Sequence, residues 1–212
     1  MCLTKMLNTV VMETLSTDVE RLIKDTAKKI FFEEGKLHAT TQDIADAAGI
    51  NRASIHYYYR SRKLLFDKVF EEAMEEFHKK LMAVINRDEP MSRQLIERLI
   101  DLLLQRSMEH PFLELFLVAA LNDNSDLKRS LLPDPPAEKI ALLNEFIAAE
   151  VAAGTMKQID TQHFIVNLIS LCSFPCMAKP IVKNAIGLTE EAYGKFMAER
   201  KAVILKLIFL DL

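Results

Sequence analysis

Thr40-Thr41-Gln42-Asp43-Ile44-Ala45-Asp46-Ala47-Ala48-Gly49-Ile50-Asn51-Arg52-Ala53-Ser54-Ile55-His56-Tyr57-Tyr58-Tyr59 reads as two short helices joined by a tight glycine turn. Thr40 or Thr41 caps the first helix, its hydroxyl accepting a free backbone N–H. Asp43 stands in the first turn, where negative charge suits the positive end of the helix dipole. Ile44 and Ala48 fall four apart on one face, and Ala45 is small enough for a second helix to pack close. Gly49 takes the left-handed conformation that ends a helix, and Asn51 caps the next one. Ile55, with Tyr58 or Tyr59, turns inward. Arg52, Ala53, Ser54, His56 and Tyr57 are left mostly on outer faces.

A second helix that is apolar inside and basic, polar and aromatic outside fits the major groove of DNA, where its N-terminal residues meet base edges. Between Asn51 and Lys63 there are four basic residues and no acidic one, in a chain whose net charge is −3. Locally positive surface in a globally acidic chain suits phosphate binding better than general solubility. An ordinary helical hairpin with a solvated second helix is the plainer reading. Against it stands the agreement of cap, turn glycine, inward residues and the flanking cations Arg60, Arg62 and Lys63.

Outward from this segment the periodicity stays helical. Val19, Leu22, Ile23, Ala27, Ile30 and Phe31 recur at three and four residues, predicting a helix over Val19–Glu34 that closes a small three-helix core. From Arg62 a long helix is expected to about Ile85, with Leu65, Phe66, Val69, Phe70, Ala73, Phe77 and Leu81 on its buried stripe. At about 1.5 Å per residue it is long enough to serve as a lever between two domains. Ser92 caps a helix over Gln94–Glu109, which Pro111 ends because proline cannot continue the hydrogen-bond ladder. Helices over Phe112–Leu121, Ala137–Ala153, Thr161–Met177 and Glu190–Leu210 follow, with Asn122–Pro136 as the longest loop. Pro175 is expected to kink its helix.

The fold expected is all-α. A three-helix DNA-binding domain at 18–63 is followed by a larger helical ligand-binding and dimerisation domain at 64–212. Residues 1–17 form an extension, and Met12 is an alternative start. Half of the 212 residues are hydrophobic and only five are glycine, a composition of compact helical protein. Cys2, Cys172 and Cys176 are odd in number and form no secreted disulfide framework. No apolar run approaches the roughly 18 residues a membrane helix needs, so a cytoplasmic chain without membrane association is the expectation.

At this point the residues resemble the N-terminal domain of the TetR family of transcriptional regulators. The likeness runs from the helix at Val19–Glu34 through Thr-Thr-x-Asp-Ile-Ala-x-x-Ala-Gly-Ile, then Ser-Ile-His-Tyr-Tyr-Tyr-Arg-Ser-Arg-Lys-Leu-Leu, covering about residues 19–70. Beyond it only helical character and length are similar. The resemblance implies base-edge contacts from Gln42, Arg52, Ala53 and Ser54, with His56 a further one, and phosphate contacts from Thr41, Tyr57, Tyr58 and Arg62. It departs from the family in Arg62, where a lysine is usual, in Ala53, where glycine or proline is frequent, and in an N-terminal tail that carries few charges.

The chain is therefore read as a sequence-specific regulator, most naturally a ligand-responsive repressor, partnered by a double-stranded DNA operator and an unidentified small-molecule effector. Two half-sites require a two-fold dimer. Its interface is placed at 161–177 and 190–210, where Phe164, Ile165, Leu168, Ile169, Leu171, Phe174, Val203, Ile204, Leu207, Ile208 and Phe209 leave little polar face. Met108, Phe112, Phe116, Phe146, Met156 and Phe174 are candidates to line an effector cavity, although such residues at helical spacing are usually core. Cys172 and Cys176, four apart with His163 earlier on the same helix, could bind a metal, but read better as small buried hydrophobes. No cofactor, metal site or catalytic residue is expected, since no phosphate loop or Ser–His–Asp set is present. Two alternatives remain: an architectural protein binding DNA without sequence choice, for which the net charge is wrong, and a helical small-molecule binder without a DNA role.

Overall fold

A computed structural model describes residues 17–85, 89–123 and 137–210. Among them the chain is helical throughout, apart from turns, loops and one isolated β-bridge. Helix α1 covers residues 17–28 and passes into a π-helical turn, Lys29–Glu33. It is followed by α2 (Thr41–Ala48), α3 (Arg52–Tyr59), α4 (Arg62–Ile85), α5 (Arg93–Glu109) and α6 (Leu113–Asp123). Helices α7 (Ala137–Ala152), α8 (Thr161–Met177), α9 (Lys179–Ile186) and α10 (Glu190–Ile208) complete it. The loop expected at Asn122–Pro136 lies largely outside the described residues, as does the extension before Thr17; Asn122 and Asp123 close α6.

The chain divides into two compact units, Met1–Glu75 and Glu76–Leu212. The boundary falls inside α4 rather than at its start, because the first turns of α4 belong to the core of α1. Phe66 stacks on Phe70 at 5.7 Å and meets Phe31 edge-on at 5.2 Å, while Phe32 reaches both rings of α4 at 6.2 and 6.3 Å. Lys24 and Lys28 both pair with Glu72 of α4, at 2.9 and 3.4 Å.

The π-helical turn explains a departure from the expected stripe. A wider turn inserts one residue into the helical period. Ile30, Phe31 and Phe32 are consequently all buried in succession; Leu22, placed on the inner face by simple spacing, is exposed at the edge of the stripe that Ile23 and Ala27 define ahead of that turn.

The helix-turn-helix forms as its local chemistry dictates. Thr40 is the cap of α2. Its hydroxyl accepts the Asp43 backbone N–H at 3.2 Å, and the Asp43 carboxylate accepts the Thr40 N–H at 2.7 Å, a complete capping box. These bonds hold the Asp43 carboxyl below its ordinary value, so the cap persists above that lowered pKa and is lost only as pH falls through it. Gly49 takes φ +66° to end α2. Open space surrounds its missing Cβ, so backbone conformation, not crowding, demands glycine there. Asn51 caps α3 by accepting from Ala53 N at 2.8 Å. Ile44, Ala45 and Ile55 are fully buried between the helices.

The second unit is built around Ile96, Ile100 and Leu104 of α5, Leu143 and Ile147 of α7, Phe164, Leu168, Cys172 and Cys176 of α8, and Tyr193, Met197 and Ile204 of α10. Ser92 caps α5 by accepting from Leu95 N. Helix α10 ends at Ile208, short of the Leu210 expected, because Phe209 leaves the helix to bridge Met156 and the Leu210 N–H donates to the Thr155 carbonyl at 2.8 Å. Arg93 lies over the Phe209 ring at 4.6 Å and pairs with Glu150 at 2.8 Å, fixing this end.

Helix α9 has no counterpart in the sequence reading. Only eight residues long, it buries no residue fully, which makes its periodicity faint. The kink expected at Pro175 is also displaced. Helix α8 runs on to Met177, and the chain bends by 84° between α8 and α9. Pro175 instead leaves the Leu171 carbonyl without a helical donor. Arg200 of α10 supplies one, its Nε donating to that oxygen at 3.1 Å, while the Tyr193 hydroxyl donates to the Pro175 carbonyl at 2.9 Å.

Candidate nucleic-acid interface

The outer surface of α3 is built by what α3 buries. Ile55 and Tyr59 face inward, and the Tyr59 hydroxyl donates to Glu20 of α1 at 3.2 Å. Burial pushes the Tyr59 phenol far above its ordinary value, so it stays neutral and rigid. Helical spacing then turns Arg52, Ala53, His56 and Tyr57 outward, with Ser54 and Tyr58 half-buried at the edges. Tyr57 is 79% exposed, and its ring meets Tyr58 edge-on at 5.1 Å. An exposed ring with a polar hydroxyl, on a segment rich in cations, is suited to contact a sugar–phosphate backbone.

The site residues named from sequence divide into two groups. Gln42, Arg52, Ala53, Ser54, His56, Tyr57 and Tyr58 share the outer surface of α2 and α3. Gln42 donates to Asp46 at 2.7 Å, which fixes its amide. Thr41 and Arg62 are turned inward instead. Thr41 is only 7% exposed, and its hydroxyl accepts from Arg52 Nε at 3.2 Å. Arg62 donates from Nε to the Ala39 carbonyl at 2.6 Å and from Nη2 to the Leu37 carbonyl. Its guanidinium also lies over the Phe31 ring at 5.2 Å. Both side chains, expected at phosphates, are thus engaged in internal bonds, Thr41 with an arginine of the next helix and Arg62 with two backbone carbonyls. Spacing alone carried no signal of this, since the acceptors sit more than ten residues away.

Arg60 is exposed, and it carries the one positive φ among described residues other than glycine, at 53°. The Ser61 N–H donates to the Tyr59 carbonyl, closing a three-residue turn around it. Such a turn is strained for any residue with a Cβ, by about 1–3 kcal/mol. Arg60→Gly is expected to raise the melting temperature of the N-terminal unit by several degrees, as about 1 kcal/mol does in a domain of this size. The same change should weaken DNA binding through the lost charge. Calorimetry with a DNA titration checks both; unchanged or lower stability contradicts the strain.

The effector-cavity candidates are not brought together. Met108 is 54% exposed, Phe112 is half-buried, Phe116 is buried, and Phe146 packs against the core of the second unit. Met156 and Phe174 do wall one cleft, of about 690 Å³, formed by α8, α10 and residues 156–159. Cys172 and Cys176 are buried, and burial pushes the Cys172 thiol up to about 12 and Cys176 upward as well. Thiolate, the reactive and metal-binding form, is correspondingly scarce. His163 points outward as an exposed residue. Among the described residues no group of three His, Cys, Asp or Glu side chains is placed to hold a metal. Among them, too, no single helix is long and apolar enough to cross a membrane.

Comparison with known proteins agrees with this geometry. Residues 23–69 match the family described as bacterial regulatory proteins, tetR family. No curated protein matches the chain in sequence. Among solved structures, one similar fold is a protein of Saccharomonospora viridis assigned as a transcriptional regulator and solved in complex with choline. It is 17% identical, with a TM-score of 0.59, covering 91% of this chain and 98% of that one. A HlyIIR mutant protein carrying a GSSGSSG linker is 19% identical, with a TM-score of 0.56 and coverage of 91% and 96%. A TetR-family transcriptional regulator of Marinobacter aquaeolei VT8 is 15% identical, with a TM-score of 0.53 and coverage of 85% and 96%. The helix-turn-helix, its outward cations and rings, and the match over 23–69 mark that segment as similar to the DNA-binding part of the bacterial regulatory proteins of the tetR family, while the remainder shares the all-helical fold of the solved regulators.

Proposed function

We propose that the chain is a ligand-responsive repressor that binds a two-fold operator as a homodimer. The observation that carries the DNA half of this reading is the exposed face of α3, where Arg52, His56 and Tyr57 stand outward with no acidic residue between Asn51 and Lys63. Each copy lays α3 in a major groove, with Gln42, Arg52, Ala53, Ser54 and His56 at base edges. Tyr57, Tyr58, Arg60 and Lys63 lie toward the sugar–phosphate backbone. Arg62 and Thr41 act on this contact indirectly, through the loop and the helix they hold.

The dimer half rests on an apolar face. Val166 and Phe174 of α8 and Val203 and Leu207 of α10 are all at least 41% exposed. Phe174 and Leu207 wall the same cleft, so the two helices turn apolar surface to one side. Each such side chain, already about half-buried, gains about 1 kcal/mol on full burial, which a second copy related by a two-fold axis provides to both partners. The similar fold solved with choline supports a small-molecule effector. Effector binding in the second unit would bias α4, a continuous helix from Arg62 to Ile85, and so alter the spacing of the two reading heads.

Selection of bound sequences from a random duplex library tests the reading. The expected result is an inverted repeat whose half-sites lie about one helical turn apart, bound with strong salt dependence. Uniform binding to all duplexes would instead favour an architectural role.

A further inference from the structure

Arg52 opens α3 and Thr41 opens α2, and one hydrogen bond joins them. Arg52 Nε donates to Thr41 Oγ1 at 3.2 Å. The acceptor belongs to a buried residue in the capped first turn of α2, so its position is set by the helix and not by a mobile side chain. Arg52 itself is exposed. Its situation differs from that of five other arginines, whereas Arg200 likewise commits Nε to one acceptor, the Leu171 carbonyl, without an ion pair among the described residues. Arg21, Arg93, Arg98 and Arg106 are each paired with a carboxylate, and Arg62 donates to two carbonyls. Arg52 makes no ion pair among the described residues, and only the Thr41 hydroxyl engages it.

The chemistry of the guanidinium makes this arrangement selective. With Nε committed, what remains outward is the end-on pair Nη1 and Nη2, two parallel donors in a rigid plane. Such a fork matches two acceptors side by side. In a DNA complex these are either the O6 and N7 atoms of a guanine in the major groove or two oxygens of a phosphate. The first turn of the second helix of a helix-turn-helix faces base edges. A phosphate contact would not need the guanidinium plane to be fixed, because phosphate oxygens can be approached from many directions.

We infer that Arg52 reads one guanine in each half-site and that Thr41 is the positioning residue that orients its fork. This assignment rests on the DNA-binding regulator reading given above and deepens it.

The test uses the full-length chain and the duplex recovered by selection. Wild type should enrich a guanine at one position of each half-site. Arg52→Ala should lose preference at that position alone, with discrimination falling by about 5- to 150-fold. Replacing that guanine by 7-deazaguanine removes the N7 acceptor; it should weaken wild type by about tenfold or more and leave Arg52→Ala unaffected. Thr41→Val keeps the side-chain shape but removes the hydroxyl, and should lower discrimination at the same position while the melting temperature and salt slope stay as in wild type. Thr41→Ser should retain the preference.

An Arg52→Ala protein weakened equally on every sequence, with a salt slope reduced by about one, identifies phosphate as the acceptor and overturns the assignment. Thr41→Val with unchanged discrimination overturns the positioning role. A wild-type chain that enriches a two-fold site without any guanine dependence sinks this inference alone. If wild type enriches no sequence, the inference and the regulator reading fall together.

Discussion

Leu207→Glu combined with Val166→Glu is expected to convert the protein to a folded monomer that no longer holds its operator. Both side chains are about 60% exposed, Leu207 at 62% and Val166 at 60%, so each carboxylate is solvated in the isolated copy and the fold should not suffer. In the proposed dimer a two-fold axis doubles every substitution, and an unpaired buried charge costs about 3–5 kcal/mol. Dimerisation should weaken by at least about 100-fold, because each 1.4 kcal/mol is a factor of ten. Operator affinity should fall by a similar factor, since one reading head alone spans only half a site. Sedimentation measures the mass, circular dichroism the fold, and gel shift the binding. A variant that remains dimeric would move the interface away from α8 and α10.

Arg62→Ala is expected to have the second largest effect, and through stability. The side chain donates to the carbonyls of Leu37 and Ala39, the residues that lead into the Thr40 capping box, and covers Phe31. Its removal leaves these acceptors without their charged donor and uncovers an aromatic ring, an expected loss of about 2–3 kcal/mol. Hydrogen exchange should therefore quicken at the amides of 37–48, and binding should weaken on every sequence. Arg62→Lys should recover less than half of the loss, because a single ammonium cannot reproduce the two-pronged geometry. A direct phosphate contact makes the opposite forecast: unchanged exchange with a salt slope reduced by about one. The two measurements together decide between a clamp and a contact.

The contrast between Arg62 and Asn51 shows what kind of information a sequence makes readable. Asn51, Thr40 and Gly49 act on backbone groups two to four residues away, so their roles follow from spacing alone, and the capping box and left-handed glycine occur where that spacing puts them. Arg62 acts on carbonyls 23 and 25 residues away. Nothing in its neighbours distinguishes an inward guanidinium from an outward one. Thr41 illustrates the same limit, because its hydroxyl is claimed by an arginine of the next helix. In the first helix the α period was followed through Lys29–Glu33, where a π-helical turn shifts the phase and buries Phe32. In the second unit, hydrophobicity located α8 and α10 but not which face each apolar residue takes. Leu168 and Phe174 look alike in the sequence, yet one is core and the other is 49% exposed. Met108 and Phe116 separate for the same reason, since burial there depends on which neighbouring helix covers the position.

Pro175 ties two of these matters together. An imino acid at that position strips one oxygen of its customary companion, and the cation that adopts it comes from a different helix. Residues 175 and 200 are thereby bound to a common fate. Restore an ordinary amide and the ladder can close without the arginine; remove the arginine and the oxygen loses the donor it has. Because this mooring joins α8 to α10, one lone pair helps determine how the two helices are gauged against each other, and hence the shape of the apolar face proposed to meet a second copy.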